Sequence, residues 1–524
     1  MHCVIGSGPA GVACAKALIA RGANVLMLDG GLELEPDRAE TMRHLASVRP
    51  CDWTDSDRAG LRGQMTADAT GIPVKLVFGS DFPYRETHEK IPWQGYGVSV
   101  SPSLALGGLS NVWGAAMLPF RDADISGWPV TNSELAQHYR AVLKFTGLAA
   151  QHDDLEDWFP LHCENPRALW PSRQADLFWR NLNRHREMLR GRGWRFGRAR
   201  LAVRATDSPG GPSCVYCAAC LYGCPYGCIY NSADTVRELR AEKEFRYQRD
   251  VVVTSIRENS EKVFIAGFHR ETHAPLSFEA RRVYLAAGVI PTAQILLRSQ
   301  NLFDQPLSLC DNQHFLLPML LARRTRDVRA ETLYTLSQLF VELNRPDISR
   351  HTVHLQIYTY NDLLGTGVRK SLGPLASLAP PLEERLLIVQ GYLHSDESQT
   401  GEMNLKRDGR KDCLHLAARE NPETRRVVKK VMREFLRQSR RLGGIVLPPL
   451  LQIHPFGHGN HYGGSWPMRE TPGQFESDRL GRPRGWSRVH AVDASVLPSI
   501  PATTITFSVM ANAHRIGWET AAML

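Results

Sequence analysis

The sequence predicts an α/β chain that starts with a Rossmann-like unit and continues into at least one further, strand-rich domain. Three observations predict this. The first thirty residues run strand, glycine-rich turn, helix, strand. At 524 residues the chain exceeds one ordinary domain. Between about 330 and 410 it carries several short β-patterned runs separated by polar breaks.

The opening stretch "HCVIGSGPAGVACAKALIARGANVLMLDGG" holds Gly6-x-Gly8-x-x-Gly11 between an apolar strand and a helix pattern. Gly6 permits a tight turn, Gly8 lets backbone approach a pyrophosphate, and Gly11 allows helix to pack closely on strand. The helix N-terminus offers unpaired N–H groups to phosphate. Asp29 ends the second strand 18 residues after Gly11, where an acid hydrogen-bonds a ribose hydroxyl. Taken in order, these features specify a dinucleotide site and leave FAD and NAD open.

Apolar residues make up 43%, the net charge is +9, and no apolar run of 18 or more residues suggests a transmembrane helix. The N-terminus enters a strand at once without a secretory pattern, so the expected location is cytoplasmic, with export on a partner subunit left open. The basic charges are scattered and not interleaved with aromatics, which argues against nucleic acid. The densest basic run, from about 422 to 442, has Val427, Val428, Val431, Met432, Phe435 and Leu442 at helical spacing, so its arginines form the outer face of an amphipathic helix. Asn421 reads as its N-cap and Gly443 as its stop.

Three further stretches resemble the glucose-methanol-choline (GMC) family of FAD-dependent oxidoreductases. "LALGGLSNVWGAA" is similar to the family's flavin-cradling loop, with Gly107, Gly108, Ser110 and Asn111. "RRVYLAAGVIPTAQILLRS" resembles the strand and turn that return to the FAD domain at Gly288, and the preceding "DVVVTSI" resembles the adenine-side strand at Val253. The C-terminal block is similar to the family's end, with an active-site histidine, Asp493-Ala494, Thr504 and a closing helix. The resemblance implies FAD as cofactor and a discontinuous FAD-binding domain from 1–125, 205–300 and 455–524. A substrate domain from 126–204 and 301–454 would then carry an antiparallel sheet, with "TLSQLFVEL", "HTVHLQIYTY", "RLLIVQGYL" and "GEMNLKRDG" as its strands. The turn-rich "TDSPGGPS" before Cys214 reads as a loop.

In that family an alcohol carbon gives a hydride to the flavin while a base takes the hydroxyl proton, a step suited to histidine. His461, in "HYGGSWPM", matches the family's H-x-x-G-[ST]-x-x-M pattern. A second histidine or asparagine usually precedes the proline of N-P-x-x-T-[IV]. Here the position is Ile500, which can neither donate nor accept. His454, His458 and Thr503 are the candidates to replace it.

"CVYCAACLYGCPYGC" places five of the eleven cysteines within fifteen residues. Cys214, Cys217, Cys220, Cys224 and Pro225 give C-x2-C-x2-C-x3-C-P, the spacing of a bacterial-ferredoxin cluster loop. Disulfides would be strained at this spacing, zinc sites usually carry a longer spacer between pairs, and buried structural thiols are the remaining alternative. The segment also resembles the 3Fe-4S loop of some bacterial GMC sugar and alcohol dehydrogenases. Cys214, Cys220 and Cys224 match its three cysteines, and Cys217 adds a fourth thiolate that would favour 4Fe-4S. Cys228 is an alternative ligand, as are the distant Cys163, Cys310 and Cys413. The expectation is an FAD and iron-sulfur dehydrogenase acting on a sugar, polyol or related alcohol, with a protein or quinone as external electron acceptor. A GMC oxidase using dioxygen and an electron-transfer flavoprotein are the alternatives.

Overall fold

The computed structural model describes residues 1–63, 75–207, 211–408 and 411–522. The centre of the predicted "TDSPGGPS" loop and the end of "GEMNLKRDG" lie outside them.

Strands from three distant parts of the chain form one parallel sheet, in the order Val489–Ala491, Arg282–Leu285, His2–Ile5, Val25–Leu28, Phe245–Gln248. All four residues of His2–Ile5 are buried, as expected for a central parallel strand covered on both faces. The glycine-rich helix Pro9–Ala20 packs on the C-terminal helix Thr506–Ala521. Gly517 makes the close approach possible, since a Cβ there would stand 2.9 Å from the Cys14 carbonyl oxygen. Helix Asn132–Thr146, opened by a capping box between Thr131 and Glu134, joins them through Tyr139 Oη and Ser508 Oγ at 2.7 Å.

A seven-stranded antiparallel sheet contains Trp194–Arg198, His314–Leu321, Leu339–Leu343, Val353–Tyr358 and Leu386–Tyr392. The amphipathic helix Pro422–Leu442 covers it. Its Val427, Val428, Val431 and Phe435 enter a second hydrophobic core with Trp194 and Phe315. Each such side chain contributes roughly 1.5–3 kcal/mol by burial. Asn421 accepts from the Glu423 N–H, and Gly443 stops the helix at φ 68°.

One predicted strand goes elsewhere. Thr400–Asp408 belongs to a separate five-stranded sheet with Leu307–Asp311, Lys411–Arg419, Trp93–Tyr96 and Tyr462–Gly463. The short helical turn Ser395–Glu397 redirects the chain there after Tyr392. A three-stranded meander, Val251–Glu258, Val263–His269 and Pro275–Ala280, adjoins the parallel sheet. Among the described residues, no helix is long and apolar enough to cross a membrane.

Candidate active site

The three fingerprint glycines have different reasons to be glycine. Gly6 has φ 102°, and a Cβ on it would fall 2.4 Å from the Ala286 carbonyl oxygen. A Cβ on Gly11 would lie 2.0 Å from the Gly6 carbonyl oxygen. Gly8 is at φ −65° and would meet no atom within 4 Å, because it faces a cavity. Asp29 sits at the end of its strand as expected. Its Oδ1 accepts from the Ser7 N–H at 3.1 Å, and its Oδ2 from the Gly31 N–H at 3.1 Å and the Tyr247 hydroxyl at 2.9 Å. Burial raises its carboxyl to about 6 against the pull of these donors.

Two adjoining cavities run from this point. The first, of about 350 Å³, is walled by Asp29, the strand residues Val251, Val252 and Val253, and Arg298. The second, of about 530 Å³, shares Gly6, Asp29, Ser103, Ala287 and Pro291 with the first and extends past Gly8, Gly108, Ser110, Gly288, Asp493, Ala494 and Thr504 to His458 and His461. The glycine floor, the helix N-terminus behind it and the open space over Gly8 fit a dinucleotide such as FAD.

The loop beneath the second cavity is built by short-range and long-range bonds together. Gly107 is left-handed (φ 83°), and its N–H donates to Ser7 Oγ at 2.9 Å. Ser110 Oγ donates to the Gly107 carbonyl at 2.6 Å and lies 3.0 Å from Asn231 Oδ1. The Asn111 amide donates to the Leu106 and Gly108 carbonyls and accepts from Asn231, so it braces the loop rather than facing the cavity. Gly288 takes φ 90° and donates its N–H to Asp493 Oδ2 at 3.0 Å, which also accepts from Thr292 Oγ1 at 2.6 Å.

His461 and His458 both line the far end of the second cavity. His461 Nδ1 has no partner in the protein, and desolvation, helped by His354, pushes the ring down to about 3. Gln356, Tyr358, Gln390 and Tyr392 line the same cavity, the Tyr392 ring 5.2 Å from that of His461. A buried relay orients two of them. Tyr358 Oη donates to Gln356 Oε1 at 3.1 Å, Gln356 Nε2 lies 3.2 Å from His354 Nε2, and His354 Nδ1 lies 2.6 Å from Glu342 Oε1.

Three residues named from sequence do not line this cavity. Ile500 is fully buried in the main hydrophobic core, with its backbone N–H on Ser395 Oγ. Thr503 is buried with its hydroxyl unpartnered and its carbonyl accepting from Asn312, while the adjacent Thr504 faces the cavity. His454 is buried, stacked on His314 at 4.6 Å between ring centres. Sequence reasoning missed Tyr247, Asn231, His314, Gln356, Gln390 and Tyr392, none of which stands in a recognisable motif. It also missed Lys75, whose Nζ donates to the Trp113 carbonyl at 3.0 Å and whose ammonium is pushed down to about 8 by burial.

All five loop cysteines line one small enclosed cavity, which Cys163, Cys310 and Cys413 do not reach. Leu336 forms part of its wall and part of the second cavity's wall. The five sulfurs divide by hydrogen bonding. Backbone N–H groups point at Cys214 (from Tyr216), Cys217 (from Ala219), Cys220 (from Thr335, 3.4 Å) and Cys224 (from Cys228, 3.2 Å). Cys228 instead directs its thiol at the carbonyls of Pro212, Ser213 and Tyr226. The backbone N–H groups of Tyr226, Cys228 and Ile229 lower the Cys224 thiol, whereas burial raises Cys214 to about 12. Among the described residues, the sets with three ligand atoms within 4.8 Å contain histidine, and no trio of these sulfurs forms one. A mononuclear zinc site needs sulfurs about 3.8 Å apart, from Zn–S bonds of about 2.3 Å. The cavity the five sulfurs enclose has a volume of about 10 Å³, so a polynuclear group would have to push them outward.

No family model matches the chain, and no curated protein matches it. Among solved structures, its fold is similar to that of pyridoxine 4-oxidase from Mesorbium loti, with TM-score 0.60, 15% identity, and 99% of this chain and 98% of that one covered. It is also similar to formate oxidase from Aspergillus oryzae RIB40, studied for its FAD modification, with TM-score 0.60, 13% identity and coverage of 98% and 97%. At these identities the likeness establishes the fold.

Proposed function

We propose that the chain is an FAD-dependent oxidoreductase of the GMC type. It oxidises a CH–OH group of a neutral sugar, polyol or related alcohol and delivers electrons to an external acceptor. The observation that carries the reading is the continuous pair of cavities leading from Gly6, Gly8 and Asp29 to His461. Parts 1–125, 205–300 and 455–524 would hold the FAD, whose isoalloxazine supplies a two-electron hydride acceptor. His461 takes the hydroxyl proton on a ring nitrogen, a step that the desolvation lowering its basicity makes harder. Gln356, Gln390, Tyr358 and Tyr392 orient the substrate. The hydroxyls and amides of these four side chains can hydrogen-bond a polyhydroxylated molecule. Cys214, Cys217, Cys220 and Cys224 would hold a 4Fe-4S or 3Fe-4S cluster, which supplies one-electron transfer toward a protein or quinone.

The names of both fold neighbours favour a second reading, an oxidase that uses dioxygen and keeps the cysteines as structural thiols. Iron and sulfide analysis with an EPR spectrum of anaerobically purified protein separates the two. Finding neither element would remove the cluster, and turnover only under air would favour the oxidase. For the alcohol chemistry, His461→Ala is expected to bind FAD yet lose alcohol-dependent flavin bleaching. Bleaching at the wild-type rate would refute the role of His461.

A further inference from the structure

We infer that His314, His454 and His458 form a three-histidine site for a divalent transition-metal ion, set in the cavity wall beside His461. One ring nitrogen from each lies within 4.8 Å of the others. The backbone fixes where these residues stand. His314 opens the strand His314–Leu321, and the His454 N–H donates to its carbonyl at 3.1 Å. Gln313 Nε2 holds the His454 carbonyl at 2.7 Å. The turn that brings His458 back passes through Gly457 at φ 81°, pinned by its N–H on Asp311 Oδ2 at 2.8 Å.

His314 is 6% exposed, and neither of its ring nitrogens has a partner in the protein. A buried polar group left unpaired is destabilising, and a metal ion would supply the missing partner. The three rings are stacked, with centres 4.3, 4.6 and 5.3 Å apart and planes within 15°. Because a metal lies in the plane of each imidazole, binding requires the rings to turn about their Cβ–Cγ bonds, without moving the backbone. An all-imidazole donor set selects zinc, copper, nickel or cobalt over magnesium or calcium. His314 and His458 face the cavity, so a fourth position opens toward it, as in metal sites that take a substrate atom.

The role of the ion rests on the proposed alcohol oxidation. A substrate hydroxyl in the fourth position would be polarised, and its proton would pass to His461. The ion would thus supply the second polar contact that Ile500 does not.

The probe is Co2+, titrated into purified, chelator-treated flavoprotein and followed by ligand-field absorption. The expected result is one ion per chain with no thiolate charge-transfer band, and roughly 100-fold or greater weakening in both His314→Ala and His458→Gln. His458→Gln, on a cavity-facing turn, covers the case in which His314→Ala does not fold. Absence of binding, or binding that carries a thiolate band and survives both substitutions, would overturn the site. Flavin bleaching by alcohols, read on the same samples, keeps the two readings apart. Its complete absence would defeat the proposed oxidation alone, and intact bleaching without Co2+ binding would defeat the metal site alone.

Discussion

Gly8 and Gly11, three residues apart, should respond oppositely to alanine. At Gly8 the backbone (φ −65°, ψ 179°) already suits any residue, and the added methyl meets no protein atom. Alanine there reduces unfolded-chain entropy, worth about 0.4–1 kcal/mol in favour of folding, and loses roughly 0.5–1 kcal/mol as a poorer N-cap. The two nearly cancel. The methyl would, however, occupy the space in which a pyrophosphate must approach the helix N-terminus. At Gly11 the methyl would sit 2.0 Å from the Gly6 carbonyl oxygen, a backbone atom held in the turn. Overpacking costs typically 1–3 kcal/mol, and a clash with fixed backbone belongs at or above the top of that range. Flavin content per chain and denaturant midpoints of the flavin-free proteins measure both effects. Gly8→Ala is expected to keep the wild-type midpoint and lose FAD, and Gly11→Ala to lose stability itself. A Gly8→Ala protein that retains FAD with wild-type affinity would falsify the assignment of this cavity to the cofactor.

Cys224→Ser is expected to lose iron and acid-labile sulfide, and Cys228→Ser to retain both, because the Cys228 thiol has its one hydrogen within reach of three backbone carbonyls, any of which a hydroxyl can also use. Equal iron loss in both would show that the hydrogen bonds do not mark the ligands. Ile500→Asn, which would restore the polar residue of the family motif, should instead destabilise the fold by roughly 3–5 kcal/mol, since an amide would replace a fully buried apolar side chain. A stable, faster Ile500→Asn enzyme would contradict this. His138 and His514 meet at 2.9 Å between Nδ1 atoms, and burial holds them down to about 3 and about 4. Both stay neutral while folded but take up protons near pH 6.5 when unfolded, so stability should fall as pH drops from 6.5 toward 4. His138→Gln should flatten that fall by about one proton, or about 1.4 kcal/mol per pH unit. Urea midpoints at pH 7, 6 and 5 would show it, and an unchanged slope would count against it.

What was legible in the sequence was local. The glycine fingerprint states its own geometry within six residues, and the helix Pro422–Leu442 announces its cap, apolar stripe and stop in consecutive residues. Function set by distant partners was not legible. The hydroxyl on Asp29 comes from Tyr247, 218 residues away, and the brace beneath Gly107 comes from Asn231. Thr503 and Thr504 are indistinguishable in sequence, and only the turn before the last helix decides which faces the cavity. The spacing likewise gave five cysteines a common loop but could not separate Cys228, whose thiol direction depends on the carbonyls of Pro212 and Ser213 across the loop.

Lys75 shows what this long-range assembly achieves. It lines the cavity that ends at His461 and also a neighbouring one walled by Cys220 and Cys224. Its ammonium, lowered to about 8 by burial, remains mostly charged at neutral pH. On the proposed reading, one buried cation lies between the hydride acceptor and the electron outlet. Adding an electron to either side adds negative charge near Lys75, and in a low-dielectric interior that attraction is screened little by salt. The cation therefore favours the reduced state of both centres, and it weakens as pH rises through 8. On that reading the flavin loop and the cysteine loop form one electrostatic unit, although Asn111 and Cys214 stand 103 residues apart in the chain.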